Sequence, residues 1–319
     1  TGEIFPIILP SYVNIQGEDE ESTVLDAMHT TNLIKIKDLE NVIISDLTLI
    51  RGIGYVAEGD YCAGISIGNS IVSLHRVTLN DMIGDQGTAI TAWESNIVFE
   101  NIDAQYNTTY MTGTIFIRNC IVDFKNINVS NNFGGLSPSG FTSMGGIFIW
   151  QTSDFETSLD KISIVNNVGT ALFIYGPQSD DNIFSPILNQ LTISNNYDLP
   201  DYPPLYTTGI EVAFNTNLKL TNSIVRTNDS RPGIAIYYTE YVPIIRNCNI
   251  EVGVLNVTDD FTMVDIDYDD IYSIDTDPLF VNSENGDYTL QEGSPCVDTG
   301  TADIDGDGVD DIIDYIGLA

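Results

Sequence analysis

Leu47-Thr48-Leu49 returns as Val77-Thr78-Leu79, Ile102-Asp103-Ala104, Ile127-Asn128-Val129, Ile162-Ser163-Ile164 and Leu191-Thr192-Ile193. Two looser copies follow at Ser223-Ile224-Val225 and Cys248-Asn249-Ile250. The spacing has a recurring minimum near 25 residues with variable excess. A fixed minimum with variable additions predicts a coil of short strands, some turns carrying inserted loops. A second phrase precedes most copies of the first. It reads Gly64-Ile65-Ser66-Ile67, Ala89-Ile90-Thr91-Ala92, Thr114-Ile115-Phe116-Ile117, Gly146-Ile147-Phe148-Ile149, Ala171-Leu172-Phe173-Ile174, Gly209-Ile210-Glu211-Val212 and Gly233-Ile234-Ala235-Ile236.

Both phrases alternate with period two, which sends Ile, Leu and Val inward and the intervening residues outward. A coil of about 25 residues is too short for a strand-helix-strand crossover of roughly 30 residues, and no stretch holds a helical period. The residues therefore predict an all-β parallel solenoid of about 10 to 11 coils. Neighbouring coils complete each other's core, so one long unit is expected over residues 1–274. Asparagine recurs at the corners as Asn131-Asn132, Asn166-Asn167, Asn195-Asn196 and Asn228. Asn tolerates left-handed backbone, and amides stacked in register can form an internal hydrogen-bonded ladder. Inserted loops are expected over 54–62, 133–144, 153–157, 176–184, 197–207 and 252–260. The rhythm changes near 275, where a cap segment over 275–302 is expected, followed by an acidic tail, 303–319.

The 319 residues carry 46 acids against 11 bases, a formal charge of -35. Such a surface repels nucleic acid and anionic membranes, while 43% hydrophobic content argues against a disordered acidic chain. No segment has the apolar length of a membrane span. Thr1 opens directly on structured-looking sequence, so a leader or first coil is expected to precede it. Cys62, Cys120, Cys248 and Cys296 have no zinc spacing. Buried thiols are the expectation, with a disulfide between coils as the alternative. His29 and His75 lack a metal-binding set and read as turn or surface residues, with a general-base role for His75 as the alternative. Asn107-Thr108-Thr109 is a formal glycosylation sequon.

The strongest local motif runs from Asp303 to Asp314. Acids fall at Asp303, Asp305, Asp307, Asp311 and Asp314, glycine at Gly308, and Val309 can offer its carbonyl. This is the ligand spacing of an EF-hand-type calcium loop. A structural Ca2+ is expected there, and an acidic tail is the alternative.

Aligning the second phrase places outward residues in two columns. One holds Ser66, Thr91, Phe116, Phe148 and Phe173; the other holds Gly68, Trp93, Arg118, Trp150, Tyr175, Ala213 and Tyr237. Aromatics one coil apart lie about 5 Å apart and can stack on sugar faces. Trp93, Arg118, Trp150, Tyr175 and Tyr237 are thus the carbohydrate-binding candidates, against the alternative that loops cover the rings as a satellite core. Glu94, Asp154, Glu156 and Glu211 lie near the strip, where two carboxylates about 5 to 10 Å apart could hydrolyse a glycosidic bond. The acidic surface favours neutral glycans over uronates unless calcium bridges them.

The coil pattern resembles the right-handed parallel β-helix proteins of the pectin-lyase-like superfamily. Phe5-Pro6-Ile7-Ile8-Leu9-Pro10, Val13-Asn14-Ile15-Gln16-Gly17 and Thr23-Val24-Leu25-Asp26 look like the first coils of bacterial surface members. Asp277-Pro278-Leu279-Phe280, Gly286-Asp287-Tyr288-Thr289-Leu290, Gly293-Ser294-Pro295-Cys296 and Asp298-Thr299-Gly300 look like their C-terminal ending. The resemblance implies an extracellular or cell-surface location within a larger secreted or surface protein. It does not fix an activity, since the superfamily holds pectate lyases, polygalacturonases, alginate-modifying enzymes, phage tailspikes and surface proteins without catalysis. Arg231-Pro232 lacks the flanking pattern of the lyases. Asp180-Asp181 and Asp259-Asp260 lack the context of the polygalacturonase acids. The leading expectation is an extracellular carbohydrate-interacting module. A polysaccharide lyase or glycoside hydrolase is one alternative, and a structural spacer or adhesin domain is the other.

Overall fold

The computed structural model describes residues 4–55, 61–135, 144–179, 182–198, 207–227, 231–239, 241–257, 263–265, 269–303 and 308–310. The second phrase forms the first sheet, in which Ile34–Lys37, Ile65–Gly68, Ile90–Trp93, Ile115–Arg118, Ile147–Trp150, Leu172–Tyr175, Ile210–Ala213, Ile234–Tyr237 and Val254–Val257 stack in chain order. These neighbours pair parallel and in register. The first phrase lies in the distal half of a second parallel sheet, whose long strands include Val42–Ile50, Ile71–Asn80, Asn96–Gln105, Ile121–Ser130 and Thr157–Val165. A short third sheet joins Ile53–Gly54, Ile83–Gly84, Thr108–Thr109 and Phe133–Gly134. The architecture is all-β, parallel and repeating, a solenoid of stacked short strands. Among the described residues, no helix is long and apolar enough to cross a membrane.

Alternation explains the interior. Leu47, Leu49, Val77, Leu79, Ile65, Ile67, Ile90, Ile147 and Ile149 are all fully buried in one continuous core. Small residues lead into the first-sheet strands because the coils meet there backbone to backbone. A methyl added to Gly146 would stand 1.7 Å from the Ala171 carbonyl oxygen.

Most described turns of the coil contain a residue in left-handed backbone. Asp38, Asn69, Glu94, Asn119, Phe214 and Tyr238 close first-sheet strands, and Asp46, Arg76, Asn101, Asn126, Lys161, Gln190, Asn222 and Asn247 bend the second sheet. Arg51, Asp81, Tyr106, Asn131, Asn166 and Asn195 lead into the third side, and all these positions have φ between 47 and 61°. The paired asparagines divide their work. Asn131, Asn166 and Asn195 take the strained backbone, while the following Asn132, Asn167 and Asn196 turn inward and stack. Asn107 adds a fourth rung, with Nδ2 donating to Asn132 Oδ1, Asn132 to Asn167 and Asn167 to Asn196, each at 3.0 Å. The same acceptors take the backbone N–H of Asn107, Asn132 and Asn167. Asn107 is fully buried in this ladder, so its sequon presents no accessible amide to a glycosyl donor. Asn228 lies outside the described residues.

At the far end, Met263–Asp265 pairs antiparallel to Val254–Val257 and reverses the first sheet. Residues 276–303 run back along the flank as a strap. Asn195 Nδ2 donates to Ser283 O at 3.3 Å, and the Tyr288 hydroxyl joins Asn195 to Asn166. Asn222 exchanges two bonds with the Thr301 backbone, and Asn247 Nδ2 donates to Thr299 O. A cavity of about 690 Å³ lies between this strap and the second sheet, lined by Asn189, Asn222, Tyr288 and Cys296 among others. All four cysteines are free, three of them buried, and burial pushes the Cys120 thiol up to about 12.

Candidate functional site

Register fixes the outer surface of the first sheet. Gly68 pairs with Trp93, Trp93 with Arg118, Arg118 with Trp150, Trp150 with Tyr175, Tyr175 with Ala213 and Ala213 with Tyr237. The five carbohydrate candidates thus share one line along the rod. Trp93 lies back over Gly68, where an added methyl would stand 2.2 Å from its Cζ2. Trp150 lies beneath the exposed Arg118 guanidinium, 4.8 Å from ring centroid to Cζ, a cation–π contact. Tyr175 packs on Trp150 at 5.3 Å and on Phe214 at 4.5 Å, and Phe214 in turn on Tyr238 at 5.3 Å. Trp93, Trp150, Tyr175 and Tyr237 are half-buried, and Tyr238 is 54% exposed.

The inner column behaves differently. Phe116 packs tilted on Phe148 at 5.2 Å, Phe148 stacks on Phe173 at 4.9 Å, and Phe116 is only 7% exposed. Outward direction from the strand did not make Phe116 solvent-facing, while Phe148 and Phe173 are half-buried like Trp150 and Tyr175 of the outer line. They form a floor beneath the outer line, with Trp150 parallel to Phe148 at 6.4 Å.

Beyond Phe173 the inner column changes from apolar to acidic. Glu211 stands between Phe173 and Ala235 in register, and although its strand directs it outward it is 6% exposed. Its Oε1 accepts the Thr170 hydroxyl at 3.0 Å, and its Oε2 accepts the Tyr237 hydroxyl at 3.2 Å. Small Ala213 lets Tyr237 lean back across Glu211, bringing its ring to 6.1 Å from Phe173, two coils away. Burial pushes the Glu211 carboxyl up to about 7, against the opposing pull of the two hydroxyls. Asp198 and Arg231 act on it with opposite signs, and they form an ion pair with each other. The sequence places Glu211 among four acids near the strip. Glu94, Asp154 and Glu156 are exposed.

The remaining candidates are dispersed. His75 Nδ1 lies 3.2 Å from Glu100 Oε2 on the next coil, and His29 Nε2 lies 3.4 Å from Asp81 Oδ2, two coils on. Arg231 is engaged with Asp198. Asp180-Asp181, Asp259-Asp260, Asp305, Asp307, Asp311 and Asp314 lie outside the described residues. Two parts of the expected calcium loop are described. Gly308 has φ of +89° and donates its N–H to Asp303 Oδ2 at 3.1 Å. The same oxygen lies 3.4 Å from Arg246 Nη1. Among the described residues, no group of three or more His, Cys, Asp or Glu is arranged to hold a metal.

No family model matches this chain, and no curated protein matches it. Among solved structures it is similar to the A-module of mannuronan C-5 epimerase AlgE4 from Azotobacter vinelandii, at 12% identity and a TM-score of 0.42, over 78% of this chain and 74% of that one. A likeness at that level does not bear on activity, and the architecture stands on its own strand order and register.

Proposed function

We propose that the first-sheet face of the rod recognises a carbohydrate, with Trp93, Arg118, Trp150, Tyr175 and Tyr237 as the contacting groups. The observation that carries this reading is the outer line itself. Four consecutive coils place Trp93, Arg118, Trp150 and Tyr175 in register, half-buried or exposed, on a floor of stacked phenylalanines. The floor holds the rings in fixed orientations, so little side-chain entropy is lost when a sugar stacks on them. An extended polymer fits a line of contacts that follows the rod. Location at the cell surface or outside the cell belongs to the same proposal.

The test is retention of the protein on a panel of neutral and uronate polysaccharides, with calcium and then with chelator. Trp150→Ala is expected to weaken retention by about tenfold or more, as for a central aromatic anchor. Unchanged retention in Trp150→Ala removes the strip as the site. Reducing or unsaturated ends released in the same incubation would assign a hydrolase or lyase activity. Neither binding nor cleavage would favour a spacer or adhesin domain.

We also propose a structural calcium site at the loop from Asp303, with carboxylates of Asp303, Asp305, Asp307, Asp311 and Asp314 and the Val309 carbonyl as ligands. The Gly308 N–H on the Asp303 carboxylate and the left-handed Gly308 support it, because such a bond tightens a loop around its first ligand. Arg246 on the same carboxylate acts against it, since a guanidinium competes with a cation for that oxygen. Terbium luminescence titration reads the site directly. Loss of the signal in Asp307→Asn is expected, and no saturable signal in the unaltered protein would remove the assignment.

A further inference from the structure

Glu211 is the buried acid that the recognition strip closes over, and its two hydrogen bonds constrain what Tyr237 can offer a ligand. An ionised carboxylate has acceptors only. In that state the Tyr237 O–H is committed to Oε2 at 3.2 Å, and the phenol oxygen has only lone pairs for any other partner. A protonated carboxyl has one donor. It can give that proton to the Tyr237 oxygen, and the phenolic proton then turns to an acceptor on the other side. Thr170 can follow either state, because its hydroxyl also reaches the Thr207 carbonyl at 3.2 Å.

We propose that Glu211 controls the hydrogen-bond polarity of Tyr237, so that the phenol can donate to an acceptor other than this carboxyl only while Glu211 holds its proton. As a statement about glycan recognition, this rests on the strip reading above. Ring and glycosidic oxygens of a sugar only accept, whereas its hydroxyls do both. The donor state therefore suits ring and bridging oxygens at Tyr237, and the ionised state disfavours them. The charged groups acting on Glu211 are Asp198, which disfavours ionisation, and Arg231, which favours it; their mutual ion pair leaves burial as the dominant effect. That places the change near neutral pH, at about 7.

The experiment is a pH titration followed by NMR, with 13C at the tyrosine ring carbon bearing oxygen and at the glutamate carboxyl. The Tyr237 signal is identified by its loss in Tyr237→Phe. It is expected to shift with the same midpoint as the Glu211 carboxyl and to become flat around neutral pH in Glu211→Gln. Tyr237→Phe is expected to raise the Glu211 midpoint, because it removes a donor to the charged form. A Tyr237 signal that does not follow the carboxyl, or that still titrates there in Glu211→Gln, overturns the proposal. So does a Glu211 midpoint unmoved by Tyr237→Phe. The titration needs no glycan. A protein that binds no polysaccharide would defeat the strip reading and leave this coupling standing, and a flat titration would do the reverse.

Discussion

Two lines of side chains run along this rod, one inside and one outside, and the same in-register stacking builds both. The inner line repeats one residue, as Asn107, Asn132, Asn167 and Asn196, and each amide both donates and accepts along it. The outer line changes residue at every coil, as Trp93, Arg118, Trp150, Tyr175, Ala213 and Tyr237. Repetition satisfies a buried polar group, because each coil presents the partner the next one needs. Variation does not help a ladder, but it gives a surface shape and donors. The contrast separates stability, carried by the inner line, from recognition, proposed for the outer one.

The largest expected effect is on the inner line. Asn132→Ala removes the acceptor for Asn107 N and Nδ2 and the donor to Ala104 O. Leaving several buried groups unsatisfied is expected to cost about 4 kcal/mol in denaturant unfolding. A loss under about 1 kcal/mol would mean that water or repacking replaces the rung.

The next effect lies where the outer surface contains a buried polar group of its own. Glu211 is held near 7 in the folded protein against an ordinary value of 4.5. Below 4.5 both folded and unfolded chains carry the proton, and it costs nothing. As pH rises from 4.5 to 7 the unfolded chain ionises first, so stability falls, and above 7 the loss is complete. Glu211→Gln is therefore expected to be more stable than the native chain at pH 8, by about 3 kcal/mol at most. The advantage should disappear by pH 4. An advantage independent of pH would place its origin in packing rather than charge.

The smallest effect belongs to the exposed end of the comparison. Arg118→Ala should change stability by less than about 1 kcal/mol, the range of an exposed cation–π contact. Its effect should appear in polysaccharide retention. A large stability loss with unchanged retention would make the outer line a second packing layer.

Much of the fold was legible because its two signals are regular. Period-two alternation in Ile65-Ser66-Ile67 and Ile90-Thr91-Ala92 fixes which residues face inward, and equal phrase lengths fix the register of the outer line. The left-handed corners were legible only where asparagine filled them. Arg76, Lys161, Gln190 and Phe214 occupy the same kind of position without any turn-forming signature. Their geometry is imposed by stacking against neighbouring coils rather than by local preference. The surroundings of Glu211 were hidden for a different reason. Thr170 and Tyr237 are 41 and 26 residues away, and no spacing rule reveals a partner reached diagonally on the coil to either side. Phe116, directed outward and yet buried, shows the limit of alternation as a guide. It gives the direction of a side chain from its strand, not whether neighbours will cover it.

The strap gives the final coils an unusual mechanical status. In a simple stack each coil is held only by the one before and the one after, so the terminal coil can peel away first and expose the next. Here Tyr288 is fastened to Asn166 and Asn195, Thr301 to Asn222 and Thr299 to Asn247. The strap acts as a splint across four coils and couples units that do not otherwise touch. Fraying from this end must release several coils together, which turns a gradual unzipping into a single cooperative step.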